Sequence, residues 1–241
     1  MMNCPPELKN YPGAKEGSGI YQTIINELPP HKVYIEPFLG SGTILRYKKL
    51  ANRTVGIDYS GSVINAWQKM SMPAGIELYH ECSLTYLDNL TANSNSMAGK
   101  DKLIYVDPPY PINSRSYKGK LYDCELTDKQ HERLLHALLH LSLFGYHIVI
   151  STYANKLYRS MLQDWRCIAF NSQTRKGKSV ELLYLNYDKP KQLHDYRYLG
   201  IDMTDRQRIK RKIERKVKDW QNLPVLERQA LIESLIKNGL I

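Results

Sequence analysis

Short apolar runs recur along the chain, each separated from the next by a polar or amphipathic stretch. Val33-Tyr34-Ile35-Glu36, Thr54-Val55-Gly56-Ile57-Asp58, Ile76-Glu77-Leu78-Tyr79, Leu103-Ile104-Tyr105-Val106 and the run from His147 to Ser151 have the length and the β-branched or aromatic content of buried strands. Trp165 to Phe170 and Val180 to Tyr187 are the last two strand candidates. The basic stretch Gln173-Thr174-Arg175-Lys176-Gly177-Lys178 joins them in a hairpin-like return at a sheet rim. Helices fill the intervals. A short one follows the glycine-rich loop Tyr11 to Gly19 and stops at Pro29-Pro30, another runs from about Thr43 to Leu50, and a helical turn after Ser83 reaches Asp88. Thr127 and Gln130 form a capping box ahead of Leu134, Leu135, Leu138, Leu139 and Leu141, which predicts a packed helix. Strands alternating with helices in this way predict an α/β domain built on a mostly parallel sheet.

Polar chemistry gathers where the predicted strands stop. Asp107-Pro108-Pro109-Tyr110 begins as the fourth strand ends, so a carboxylate, a stiff turn of carbonyls and an aromatic ring share one sheet edge. That set suits a planar ring bearing an amino group. After the first strand, Pro37-Phe38-Leu39-Gly40-Ser41-Gly42 supplies glycines at 40 and 42, which allow close backbone approach ahead of a helix start with unused N–H groups. Asp58 closes the second strand, where a carboxylate can receive ribose hydroxyls. The stretch from Pro111 to Tyr122 lacks either period and mixes Asn113, Arg115, Tyr117 and Lys118, residues suited to phosphates and a displaced base. His131, His136 and His140 share a helix without an accompanying acidic constellation, so they do not define a metal site.

Charge and cysteine usage then narrow the class. The 241 residues carry a formal net charge of +10, which favours a polyanionic partner. Cys4, Cys82, Cys124 and Cys167 have no metal-ligand spacing and read as thiols of a reducing compartment. The start of the chain lacks the charged and apolar regions of a secretion signal, and no apolar run reaches membrane-spanning length, so a cytoplasmic protein without a membrane partner is expected. Positive charge concentrates between Thr204 and Lys218, where Ile209, Ile213 and Val217 mark an apolar stripe and Thr204 with Gln207 fits a capping box. Leu223-Pro224-Val225 starts a second helix. The division expected is a catalytic domain over 1–199 and a basic helical extension over 200–241.

Taken together and in order, these motifs resemble the Dam-like, D12-class N6-adenine DNA methyltransferases. Asp107-Pro108-Pro109-Tyr110 resembles that family's catalytic motif, Glu36-Pro37-Phe38-Leu39-Gly40-Ser41-Gly42 its cofactor motif, and Tyr11-Pro12-Gly13-Ala14-Lys15 the amino-terminal motif that brings a lysine near the donor. Asp58 matches its ribose-binding acid, and Arg175 to Tyr187 resembles its terminal loop and strand. The resemblance covers roughly residues 9 to 188. It implies a class I methyltransferase fold, a seven-stranded sheet with one antiparallel strand and helices on both faces, and S-adenosylmethionine as donor.

By the same resemblance, Asp107, Pro108, Pro109 and Tyr110 are catalytic: Asp107 and the Pro108 carbonyl accept the two amino hydrogens while Tyr110 stacks on an extruded adenine. Tyr11, Lys15, Glu36, Pro37, Phe38, Gly40, Gly42, Asp58, Cys82, Ser83 and Asp107 would line the cofactor. Tyr110, Asn113, Arg115, Tyr117, Lys118, Arg175, Lys176 and Lys178 would meet DNA, and no metal is implied. Lys15 is open to two roles, contacting the cofactor's carboxylate or shaping the pocket. Two departures from the family stand out. Cys82 occupies the place of an aspartate at the third strand's end, leaving the adenine contact to Asp88, to Ser83 or to backbone. The interval from Gly42 to Asp107 is too short for the family's large recognition domain, so recognition falls to the 111–125 and 172–179 loops, to the carboxyl-terminal extension, or is minimal. Methylation of RNA adenine or of cytosine N4, and a non-catalytic nucleic-acid-binding protein on the same fold, are the alternative functions. Oligomeric state, recognised sequence and a restriction-enzyme partner are not encoded legibly.

Overall fold

The computed structural model describes residues 2–17, 19–95, 97–114, 119, 124–174 and 177–240, with 173–174 and 177–178 described for backbone only. The chain divides into two compact units, 1–197 and 198–241.

In the first unit, seven strands form one sheet: β1 (Val33–Glu36), β2 (Arg53–Asp58), β3 (Ile76–His80), β4 (Lys102–Val106), β5 (His147–Thr152), β6 (Arg166–Thr174) and β7 (Gly177–Leu185). Their order is β3-β2-β1-β4-β5-β7-β6. The five that precede β6 pair in parallel, whereas β7 runs antiparallel to both β5 and β6. Antiparallel pairing of β6 with β7 continues to Thr174 and Gly177, which makes β7 the reversed strand. This is the class I methyltransferase sheet that the resemblance implies. Because β1 is flanked by β2 on one side and β4 on the other, the order of connection reverses at β1/β4. The carboxyl ends of β1 and β4 therefore border the crevice at the topological switch point of the sheet.

Successive strand residues face opposite ways, and here both sets are buried. Ile35, Val55, Ile57, Ile104, Val106, Ile148 and Ile150 pack with Leu84 and Leu87 of α4 (Ser83–Ala92), five residues of α5 (Asp128–Leu143) and Tyr158 of α6 (Lys156–Met161). The alternate positions Tyr34, Leu103, Tyr105 and Val149 point to the other face and are as deeply covered. Buried residues of α1 (Ile20–Ile25), α2 (Thr43–Tyr47) and α3 (Gly61–Gln68) lie outside the first cluster. Such two-sided burial explains why the strands read as nearly unbroken apolar runs.

Several boundaries differ from the sequence reading. Helix α2 stops at Tyr47 because Lys48 turns to extended backbone and sets its ammonium 4.0 Å from the centre of the Tyr34 ring. Helix α4 continues past Asp88 to Ala92. The basic stretch expected as a loop over 173–178 is mostly strand: Gln173 pairs with Lys178 and Thr174 with Gly177. His131, on a helix where histidines usually meet solvent, is fully buried with a ring nitrogen 2.9 Å from the Tyr158 hydroxyl.

The second unit contains α7 (Met203–Asn222) and α8 (Val225–Lys237). Asp202, not Thr204, caps α7: its carboxylate accepts from the Asp205 amide at 2.7 Å. A carboxylate here is the stronger cap, since it also meets the positive end of the helix dipole. No helix among the described residues is long and apolar enough to cross a membrane.

Candidate active site

At the switch point lies a cavity of about 420 Å³, within the range of small-molecule sites. Its wall draws on every motif expected at the cofactor: Tyr11 and Lys15, Glu36 and Phe38, Gly40 and Gly42, Asp58, Cys82 and Ser83, and Asp107 with Pro109. Residues hundreds of bonds apart in the chain meet because each ends a parallel strand or begins the segment after it.

The glycine turn is fixed from two sides. Gly40 and Gly42 have φ of +46° and +58°, a region that favours glycine. A Cβ on Gly40 would sit 2.6 Å from the Tyr11 ring, and one on Gly42 would sit 2.4 Å from the Trp67 ring. The close approach that these glycines permit is therefore to the protein's own aromatics as well as to a ligand. Trp67 also donates its indole N–H to the Gly40 carbonyl at 2.9 Å. Asp58 completes the turn, accepting from the Gly40 amide and from the Ser60 amide, both at 2.8 Å. Burial raises its pKa against those two donors. Each carboxylate oxygen retains a second lone pair, so an Asp58 oriented in this way is ready to accept from a diol.

Around Asp107 the arrangement departs from the sequence reading. Lys15, almost fully buried, lies 2.7 Å from one Asp107 oxygen and donates to the other at 2.9 Å and to the Gly13 carbonyl at 3.0 Å. These bonds hold Lys15 against Asp107 on the cavity wall. Glu181, buried on β7, is 3.6 Å from the same ammonium. Tyr110 donates its hydroxyl to Glu181 at 2.6 Å, lies 3.0 Å from the Ser151 hydroxyl, and meets Tyr153 edge-on. Its ring is 6% exposed and outside the cavity wall, as is buried Pro108. A stacking face on Tyr110 is thus not open in this conformation.

The electrostatics follow from burial. Loss of water raises the Asp107 pKa, with the Lys15 ammonium opposing and Glu181 adding to the rise. For Glu181 burial also pushes upward, but Lys15 and hydrogen bonds from Tyr110, Ser172 and Ser151 outweigh it and leave the pKa low. Glu36 is pushed up to about 8 by burial, although the Tyr34 hydroxyl donates to it at 2.7 Å. Lys15 therefore bridges Asp107 and Glu181, while burial favours the neutral form of Glu36 beside them.

Other expected residues fall elsewhere. Asp88 is ion-paired with Arg133 on the surface between α4 and α5, which removes it from the cofactor's base. Cys82 and Ser83 do line the cavity, and the Ser83 hydroxyl is spent on the Pro37 carbonyl. Asn113 is exposed in a short turn over Ile112–Ser114. Arg115, Tyr117, Lys118, Arg175 and Lys176 lie outside the described residues, as does the Lys178 side chain. Sequence reasoning missed Glu181, whose signal was a lone acid inside an apolar strand. It also missed Cys124, Glu125 and Leu126 on the cavity wall, which follow an aperiodic stretch and carry no pattern of their own, and Gln130, which it read only as part of a helix cap.

Comparison with known families finds that residues 86–179 match the D12 class N6 adenine-specific DNA methyltransferases. The matched segment holds Asp107 to Tyr110 and ends before Glu181. Comparison with curated proteins finds no match. Among solved structures, similarity is distant. A putative methylase from Haemophilus influenzae shares 15% identity over 69% of this chain and 84% of its own, with a TM-score of 0.38. Magnesium protoporphyrin IX methyltransferase from Synechocystis PCC 6803, solved with bound SAM, shares 14% over 69% and 75%, at 0.41. Precorrin 8w decarboxylase from Methanobacterium thermoautotrophicum shares 13% over 67% and 85%, at 0.40.

Proposed function

We infer that this chain methylates the exocyclic amine of adenine in DNA, because residues 86–179 match the D12 class N6 adenine-specific DNA methyltransferases. The observation that carries the reading is the position of Asp107: at the end of β4, on the wall of the same cavity as the Gly40–Gly42 turn and Asp58. The donor set fits S-adenosylmethionine. Asp58 would hold its ribose, Phe38 and the glycine turn its adenosine, and Cys82 and Ser83 the far edge of the base. When bound, that cofactor supplies a methyl carbon on a sulfonium whose leaving group is a neutral thioether.

The chain's own contribution is to orient the acceptor and stabilise charge. Lys15 fixes the Asp107 carboxylate by bonding both its oxygens. A lone pair left on Asp107 accepts an amino hydrogen and turns nitrogen density toward the cavity. As nitrogen becomes positive in the transition state, the Asp107 oxygen that accepts from it stabilises it more than it does the neutral ground state. Adenine must first leave the duplex stack. Tyr110, bonded to Glu181 and Ser151, stands behind the cavity wall and holds Glu181 in place there.

Purified protein incubated with labelled S-adenosylmethionine and DNA should yield N6-methyladenine in the digested product. Asp107→Asn should lower kcat by about 10²–10³-fold, the scale for losing one oriented polar contact to developing charge, with cofactor affinity retained by calorimetry. A product of N4-methylcytosine, or methyl groups found in RNA alone, would overturn the substrate assignment.

A further inference from the structure

The second unit carries a charge pattern that the reaction does not use. At about 100° per residue along α7, Arg208, Arg211, Lys212, Arg215, Lys216 and Lys218 fall within an arc of roughly 160°. All six are exposed. Ile209, Ile213, Val217 and Trp220 occupy a strip of roughly 80° on the opposite side. The helix's acids are too few to neutralise the arc, since only Asp205 and Asp219 fall within it against six cations. Asp205 pairs with Arg208 at 2.7 Å, Asp219 lies at the carboxyl end, and Glu214 projects off the arc toward Lys210.

Holding this many like charges on one face is unfavourable unless a polyanion neutralises them. The basic arc bears no aromatic side chain on which unpaired bases would stack, whereas arginine forks and lysine ammoniums suit phosphate oxygens. From Arg208 to Lys218 the helix rises about 15 Å, a length over which duplex DNA presents roughly nine phosphates. An anionic bilayer fits less well. Arg206 falls within the apolar strip that would have to enter it and Lys210 borders it, and Ile209 and Trp220 are already partly covered in the folded chain.

We propose that the basic face of α7 binds the phosphate backbone of duplex DNA without reading its sequence, anchoring the substrate of an enzyme whose chain leaves little room for a recognition domain. The proposal rests on DNA being the substrate, and its test separates the two. The full-length protein and a variant carrying Arg211→Gln, Lys212→Gln, Arg215→Gln and Lys216→Gln are titrated with fluorescent duplex across a range of salt. Helical content by circular dichroism confirms that α7 persists. The slope of log K against log salt should fall by about 0.9 for each phosphate no longer neutralised, so by three to four in all. The KM for DNA should rise at least about tenfold at physiological salt, with kcat at saturating DNA unchanged.

A second variant, Arg206→Gln with Lys210→Gln, removes two cations off the arc and should shift the slope by much less per charge. An equal shift per charge would overturn the assignment to one face, and an unchanged slope in the fourfold variant would overturn the surface altogether. So would a fourfold variant that no longer binds vesicles containing phosphatidylserine while its DNA binding is retained. Should the parent protein transfer no methyl group while the fourfold variant still shows the expected fall in slope, the surface stands and the reaction assignment falls.

Discussion

Glu36 is a carboxyl group placed where water cannot reach it, on the wall of a cavity and beside a second carboxylate. Burial lifts its pKa to about 8, with the nearby Asp107 charge adding to the effect. An unfolded glutamate releases its proton near pH 4.5, so between these values the folded chain holds a proton that the unfolded chain does not. Folding then binds a proton, and stability falls as pH rises through that window, the loss being complete above about 8. Replacing Glu36 with Gln removes the ionisation. Urea titrations at intervals from pH 5 to 8 should therefore show wild-type stability declining relative to Glu36→Gln, and parallel curves would contradict a proton held at Glu36. A reader of the sequence could find Glu36, because a family motif contains it. That it is neutral could not be read, since a pKa depends on which strands cover the side chain.

The element that most constrains the site is the turn between β1 and α2. Gly42 has φ +58° and lies over the ring of Trp67, a residue of α3 that is 1% exposed. Gly40 instead faces the ring of Tyr11, a side chain of intermediate exposure. Gly42→Ala should accordingly be the more damaging change, combining left-handed strain of about 1–3 kcal/mol with a clash that Trp67 cannot relieve. Thermal melts and cofactor titrations of both alanine variants would check the ranking, and a Gly40→Ala protein with the larger loss would refute it. The turn and the strands beside it were legible because local pattern sets them: apolar runs, glycines and an acid at a strand end. What lay beyond reach depended on tertiary contact. The partners of Lys15 come from Asp107 and from Glu181 on the reversed strand, and no spacing in the chain encodes that meeting. Likewise the 173–178 stretch read as a loop from its composition, although pairing with a neighbour extends both strands through it.

For the whole molecule, the arrangement of parts separates chemistry from charge. Among the described residues, every strand of the sheet and every residue lining the cavity lies within 1–197, while the longest helix, a basic one, lies in 198–241. A chain ending at residue 197 keeps a sheet whose core is formed by its own strands and by α4, α5 and α6. Such a fragment should melt cooperatively and bind S-adenosylmethionine with affinity within about threefold of the full chain, a difference below about 0.7 kcal/mol. DNA binding should weaken by far more, and most at moderate salt, where removing the six cations of the arc abolishes most of the counterion release. Calorimetry with the cofactor and anisotropy with duplex, run on both chains, measure the two effects independently. A fragment that fails to bind the cofactor while remaining folded would mean that 198–241 contributes to the cavity itself, and the division of labour between the two units would have to be abandoned.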